Sequence, residues 1–220
     1  MSSDIKLQDS DDLVFFGKIN ASISHELKNI FAIISEAAGL LNDLTNIASE
    51  GGDLDLEMIR TCSQDIVEEI QRGFATVKQM NTFSHSVDHP IKSVNLVEVL
   101  DLVINLAGFL SYAAKIRFEH SEAPASNVTT CPWRLQNLVY QILVFAFESV
   151  GPDGEIQISL CSQESGGGRI TFSGLGSKSS GRFPVDEAKR LAASIDAEIS
   201  VSGDYRTLDI LMPQNMKSRE

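Results

Sequence analysis

Phe16, Ile19, Ile23, Leu27, Ile30, Ile34, Ala37, Leu41, Leu44 and Ala48 recur at steps of three and four residues without a break. Only an α-helix brings residues so spaced onto one face, and a seam this long must lie against another long helix. The spacing predicts a helix over residues 11–49, ended by Glu50-Gly51-Gly52-Asp53, where glycine supplies the left-handed closing residue. Asp53 or Asp55 can cap a second helix, on which Ile59, Cys62, Ile66, Ile70, Phe74, Val77, Met80 and Phe83 form a matching stripe. So short a loop makes the two helices antiparallel neighbours. A lone hairpin buries only one side of each stripe, and seams of this length call for more partners. A homodimer, giving a four-helix bundle, supplies them; the alternative is a hairpin that packs solely on the C-terminal half of the chain.

The stretch Ser22-Ile23-Ser24-His25-Glu26-Leu27-Lys28-Asn29-Ile30 sets a histidine in the middle of the first helix. At roughly 100° per residue, His25 lies about 155° from the centre of the seam and so faces solvent or a visiting molecule. Ser22, one turn back, and Asn29, one turn on, neighbour the imidazole on the surface. Lys18 and Lys28 are near enough to add positive charge. An exposed histidine on an amphipathic helix is ordinarily no more than that, but these surroundings argue for chemistry. Imidazole is neutral and nucleophilic near physiological pH, and one ring nitrogen can attack while the other keeps its proton.

The chain has 220 residues, 43% of them hydrophobic, enough for one or two domains with real cores. A net charge of -12 argues against a nucleic-acid surface, which needs clustered Lys and Arg, and leaves proteins as the expected partners. Cys62, Cys131 and Cys161 are far apart and in no C-x-x-C pair. They suggest neither a disulfide framework nor a zinc site, and fit a reducing cytoplasm. The opening Met1-Ser2-Ser3-Asp4-Ile5-Lys6 lacks the apolar run of a signal peptide. The most apolar window, Leu138 to Val150, is too short to cross a bilayer and is broken by Gln141 and Glu148. No membrane attachment is expected. His85 and His89 stand four apart, but no third ligand accompanies them, and a solvated helix end accounts for both.

Residues 1–10 are polar and expected to form a disordered tail, and residues 11–89 the helical hairpin. His89-Pro90-Ile91-Lys92-Ser93 is a linker whose proline stops the second helix. Over residues 94–213 the pattern is mixed. A helix opens at Asn95 and continues to about Tyr112, and Lys115 to His120 alternates like a strand. A helix from Pro132 to Val150 carries proline in its first turn. A strand from Glu155 to Ser162 turns through Ser165-Gly166-Gly167-Gly168 into Arg169 to Ser173. A helix from Val185 to Ile195 and strands at Glu198 to Ser202 and Thr207 to Met212 complete the domain, with residues 214–220 as a polar tail. The expected class is α+β: a helical hairpin, then helices stacked on one face of a mixed sheet.

His25-Glu26-Leu27-Lys28-Asn29 resembles the phospho-acceptor box of sensor histidine kinases, in which a histidine is followed by an acidic residue and, four positions on, by Asn or Thr. In that family the histidine lies on the first helix of a hairpin, and two hairpins form a dimeric four-helix bundle. The order of elements after residue 94 is similar to the family's ATP-binding domain, an α/β sandwich, but the boxes that would hold ATP are degenerate. The asparagine box falls near Gln141 and Phe145, and phenylalanine cannot ligate a hard cation, which needs oxygen. In Phe172-Ser173-Gly174-Leu175-Gly176 the glycines survive, but Phe172 stands where an aspartate should meet adenine. Gly174 and Gly176 then make a plain turn sooner than a phosphate cradle. The phosphate turn aligns with Phe183-Pro184-Val185, which lacks glycine and loses a backbone donor at the proline. The lid between the boxes shrinks to Ser177-Lys178-Ser179-Ser180-Gly181-Arg182.

Keeping the acceptor histidine without the means to charge it from ATP resembles the dimeric, kinase-like histidine phosphotransferases of multistep bacterial phosphorelays, over residues 12–213. The resemblance implies that His25 exchanges phosphate with receiver-domain aspartates and that Glu26 holds the second ring N–H. It implies too that Asn29 can orient water for hydrolysis of an aspartyl phosphate. Lys28 or Lys18 either neutralises phosphate or serves solubility alone. No cofactor would be bound by this chain, the Mg2+ being carried by the receiver. Expected partners are response-regulator receivers, a second copy and a hybrid sensor kinase, in the cytoplasm, with neither nucleic acid nor membrane. Phe15, Phe31 or Ile33 would dock a receiver or be buried in the dimer. Two other readings stand beside this one: a non-catalytic adaptor of kinases or response regulators, and an aspartyl-phosphatase. An ATP-dependent kinase fits least.

Overall fold

A computed structural model of the chain describes residues 2–108, 114–119, 127–151, 153–163, 166–176, 183 and 185–217. They fall into two compact units, Phe16–Thr82 and the combination of Met1–Phe15 with Phe83–Glu220. The boundary therefore lies inside both long helices, not at the proline linker.

The first unit consists of most of α1 (Ser2–Ser49) and α2 (Leu56–Ser84). Helix α1 takes in residues 2–10, which their polarity alone assigns to a tail. Once nucleated, a helix extends into polar sequence at little cost, because each added residue closes one hydrogen bond. It ends as the glycine pair requires: Gly51 is at φ 90° and the Gly52 N–H reaches back to the Ile47 carbonyl at 3.0 Å. Of the two candidate caps, Asp55 is used, accepting from the Met58 N–H at 3.0 Å. The seam is buried at Ile19, Ile23, Ile30, Ala37 and Leu44 and half-buried at Leu27, Ile34, Leu41 and Ala48. By length and composition alone, Asp12–Ser49 would be long and apolar enough to cross a membrane. Part of its apolar content is this seam, and part is exposed at Phe31, Ile33, Leu40 and Ile47.

On α2 the inward row differs from the expected stripe. Cys62 and Thr76 are buried and Ile59, Ile66, Glu69, Gly73 and Met80 half-buried, whereas Ile70, Phe74 and Val77 lie exposed. Choosing the most apolar residue at each turn displaces the row by one position through the middle of the helix. There the small side chains of Gly73 and Thr76 sit inward instead, and a Cβ on Gly73 would lie 3.7 Å from Ile30.

The second unit is α+β. After a short 3-10 turn, His85–Val87, come β1 (Lys92–Asn95), α3 (Leu96–Leu106), β2 (Ala114–Glu119), β3 (Asn127–Thr130), α4 (Pro132–Val150), β4 (Gly154–Ser162), β5 (Gly168–Ser173), α5 (Asp186–Ser194), β6 (Glu198–Val201) and β7 (Thr207–Met212). Residues 92–95, assigned to linker and helix start by sequence, instead pair antiparallel with β3. Asn95 is the cap of α3, its Oδ1 accepting from the Val97 N–H at 2.9 Å. The expected end of α3 near Tyr112 and the lid at 177–182 lie outside the described residues.

The main sheet runs β2-β4-β5-β7-β6, with β2 parallel to β4 and the other pairs antiparallel. Alternation sends Ile156, Ile158, Leu160, Ile170, Phe172, Leu208, Ile210 and Met212 to the covered face, where α4 packs on β4 and also meets α3 and α5. The opposite face is polar, with Thr171 donating to Asp209 at 2.5 Å and Arg117 paired to Glu155 at 2.9 Å. Both long helices contribute to this unit. Phe15 meets Phe83, Trp133 and Tyr140 at ring-centroid distances of 5.5, 5.1 and 5.3 Å. Phe15, named above as a docking residue, is thus a core residue at 3% exposure. One residue earlier or later on α1, Val14 and Phe16 are exposed; adjacent helical positions point about 100° apart.

Candidate functional site

His25 stands exposed on α1, within the helical unit, as its angle from the seam requires. Its Nδ1 lies 3.3 Å from Asn29 Nδ2, one turn along the helix. The pairing is local: any helix carrying these two residues four apart sets them side by side. Ser22, expected beside the imidazole, is buried at 8% exposure instead. Lys18 and Lys28 are both exposed.

Glu26 turns toward α2. Arg72 donates to Glu26 Oε1 from Nε at 2.8 Å and lies 2.6 Å from it through Nη2, while Nη1 reaches Glu69 at 3.3 Å. The carboxylate expected on the second ring nitrogen of His25 is therefore bonded to an arginine on the opposite helix, and the group at Nδ1 is Asn29. Partial burial works against the Arg72 charge, but its hydrogen bonds and attraction to Glu26 and Glu69 outweigh that and hold the guanidinium above its ordinary pKa. Arg72 and Glu69 have no place in a motif read along α1. Glu69 and Arg72 three apart on α2 are visible in the sequence, but nothing local says that Glu26 faces them.

In the α/β unit, the positions aligned above with nucleotide boxes are filled by protein. Phe145 on α4 stacks on Phe183, centroids 4.6 Å apart and planes 24° from parallel. The Gln141 carboxamide donates to Glu187 at the start of α5 and to Asn137 Oδ1 at 3.2 Å. Phe172 is fully buried in the sheet core. Gly174, at φ 83°, passes so near β4 that a Cβ would fall 2.4 Å from the Glu155 carbonyl oxygen. At Gly176 a Cβ would fall 2.0 Å from the Ser149 oxygen, and its N–H bonds Ser149 Oγ at 3.3 Å. Both glycines are there for close packing of backbone on backbone. Elsewhere, His85 Nδ1 pairs with Asp88 Oδ2 at 2.7 Å, within its own turn. Among the described residues no group of three or more His, Cys, Asp or Glu side chains is placed to hold a metal ion.

No family model matches the sequence, and no curated protein matches it. Among solved structures, full-length ShkA in complex with AMPPNP is similar at 12% identity over 86% of this chain and 46% of that one, with a TM-score of 0.50. The histidine kinase AdeS of Acinetobacter baumannii is similar at 12% identity over 86% of this chain and 98% of that one, TM-score 0.46. A bacterial phosphotransferase is similar at 11% identity over 90% and 95%, TM-score 0.49. The fold is histidine-kinase-like. It is an α+β arrangement in which a long N-terminal helical region precedes a sheet domain resembling the kinase ATP-binding domain.

Proposed function

We propose that this protein is a histidine phosphotransferase of a bacterial two-component phosphorelay, passing phosphate between His25 and receiver-domain aspartates without consuming ATP. The observation that carries the reading is His25 itself. It is exposed on a hairpin helix of a histidine-kinase-like fold, with Nδ1 beside Asn29 and no hydrogen bond to Nε2 among the described residues. The stacking of Phe145 on Phe183 and the packed backbone at Gly174 and Gly176 support a domain that has given up nucleotide.

In this reading the receiver brings the magnesium and the aspartyl phosphate, and the work left to this chain is positioning. Val67, Ile70, Phe74 and Val77 on α2, with Phe31 on α1, leave an apolar surface on the single hairpin. We assign it to a second copy, completing a four-helix bundle in the cytoplasm, with Ile33 left to meet a receiver or a hybrid sensor kinase.

The test uses purified protein, wild type and His25→Ala, incubated with radiolabelled phospho-receivers and magnesium but no ATP. Acid-labile label appears on the wild type alone. Receiver label released as free phosphate, with none held on His25 at early times, would assign an aspartyl-phosphatase instead; receivers left unchanged would assign an adaptor.

A further inference from the structure

Which nitrogen of an imidazole attacks is decided by the proton on the other. A nucleophilic Nε2 needs its lone pair, so the proton must sit on Nδ1 with an acceptor to hold it there. The acidic neighbour Glu26 is bonded to Arg72 in this structure. The side chain at Nδ1 is Asn29, with its amide nitrogen 3.3 Å away. An N–H pointed at Nδ1 makes that nitrogen the acceptor and leaves the proton on Nε2, the form that cannot attack from Nε2.

We propose that the Asn29 carboxamide is a positioning residue that selects the reactive nitrogen of His25. With its N–H toward Nδ1 it keeps the ring idle; turned over, its carbonyl accepts from Nδ1–H and frees the Nε2 lone pair. The inference rests on His25 being the phospho-acceptor. A carboxamide suits the task because it carries a donor and an acceptor on one planar group, where a carboxylate only accepts and a methyl does neither. The turn is about the terminal torsion of asparagine, which is broad and roughly two-fold, on an exposed helix face. In the transfer step Nε2 forms a bond to phosphorus while the phosphorus–oxygen bond to the receiver aspartate breaks. The electron pair leaves on the aspartate carboxylate. The ring then carries positive charge with its proton still on Nδ1, where the Asn29 carbonyl stabilises it.

The test reads the ring directly, on full-length wild type, Asn29→Ala and Asn29→Asp. Nitrogen-15 NMR of His25 at about pH 9, where imidazole is neutral, gives the fraction protonated on Nδ1. That fraction is greatest in Asn29→Asp, intermediate in Asn29→Ala and smallest in the wild type, whose amide N–H favours the other tautomer. Phosphoramidate supplies a receiver-free donor: the Nε2–phosphorus bond forms, the reagent's phosphorus–nitrogen bond breaks, and ammonia leaves. Its labelling of Nε2, followed by phosphorus-31 NMR, is about three- to tenfold faster in Asn29→Asp than in the wild type, the worth of one net hydrogen bond. Equal fractions in all three proteins, or equal labelling in wild type and Asn29→Asp, would overturn the proposal. Neither measurement involves a receiver. Normal ring behaviour with no transfer from any receiver would therefore overturn the phosphorelay reading and leave the control by Asn29 standing.

Discussion

Arg72 Nη2 lies 2.6 Å from Glu26 Oε1, and Nε donates to the same oxygen at 2.8 Å, so the residue directly after His25 is tied to the opposite helix of its hairpin. The pair is nearly half exposed on the arginine side and a third on the glutamate side. Pairs in such surroundings contribute about 0.2–1 kcal/mol. Arg72→Ala and Glu26→Gln should each lower stability to denaturant by about that much, less in high salt. The double variant should lose no more than Arg72→Ala alone, which also gives up the contact with Glu69. A loss well beyond this range would mean that the clamp holds the hairpin itself together.

Phe74 is 73% exposed on the single chain, in a row with Val67, Ile70 and Val77 that recurs at helical spacing. Phe74→Glu should convert the proposed dimer to a monomer, measured by light scattering, with the α/β unit still folded by near-ultraviolet circular dichroism. A wild type that is monomeric at micromolar concentration would remove the four-helix bundle from the account.

The glycines after β5 separate packing from ligand binding. A side chain at Gly176 meets the Ser149 carbonyl, and one at Gly174 meets Glu155 from a left-handed backbone. Gly176→Ala and Gly174→Ala should each cost more than about 2 kcal/mol in thermal unfolding, the range of strained backbone and overpacked cores. Were these residues a phosphate cradle, the same substitutions would leave stability intact and abolish nucleotide binding.

Tyr140 is buried against Phe15, and burial pushes its hydroxyl up to about 12. Below the ordinary value near 10 the phenol is neutral in both folded and unfolded chains, and its contribution to stability is fully present. As pH rises from there toward 12, the unfolded chain ionises first and that contribution is lost. Tyr140→Phe should therefore flatten the alkaline fall in stability over that window, measured by denaturant titration at stepped pH. An unchanged slope would mean that Tyr140 titrates as if exposed.

The parts of this protein that could be read from the sequence are those set by neighbours along the chain. Helix α4, from Pro132 to Val150, and strand β7, from Thr207 to Met212, follow from periodicity at the residues expected. The exposure of His25 follows from its angle on α1, and its pairing with Asn29 from a spacing of four. Strand β1 was not readable, because four residues with no strong alternation become a strand only by pairing with β3 far along the chain.

The sequence by itself determined that a long amphipathic helix presents a histidine, because helical geometry is local and repeats every 3.6 residues. Only the tertiary structure decided what surrounds that histidine across the hairpin. Glu26 looks like a partner of the imidazole until Arg72, 46 residues on, takes its carboxylate. Phe15 looks like a surface residue until Phe83, Trp133 and Tyr140 close on it. Contacts such as these depend on rotations and close approaches between distant segments. A one-residue turn of a helix exchanges a buried position for an exposed one, and composition carries no record of which way it turns.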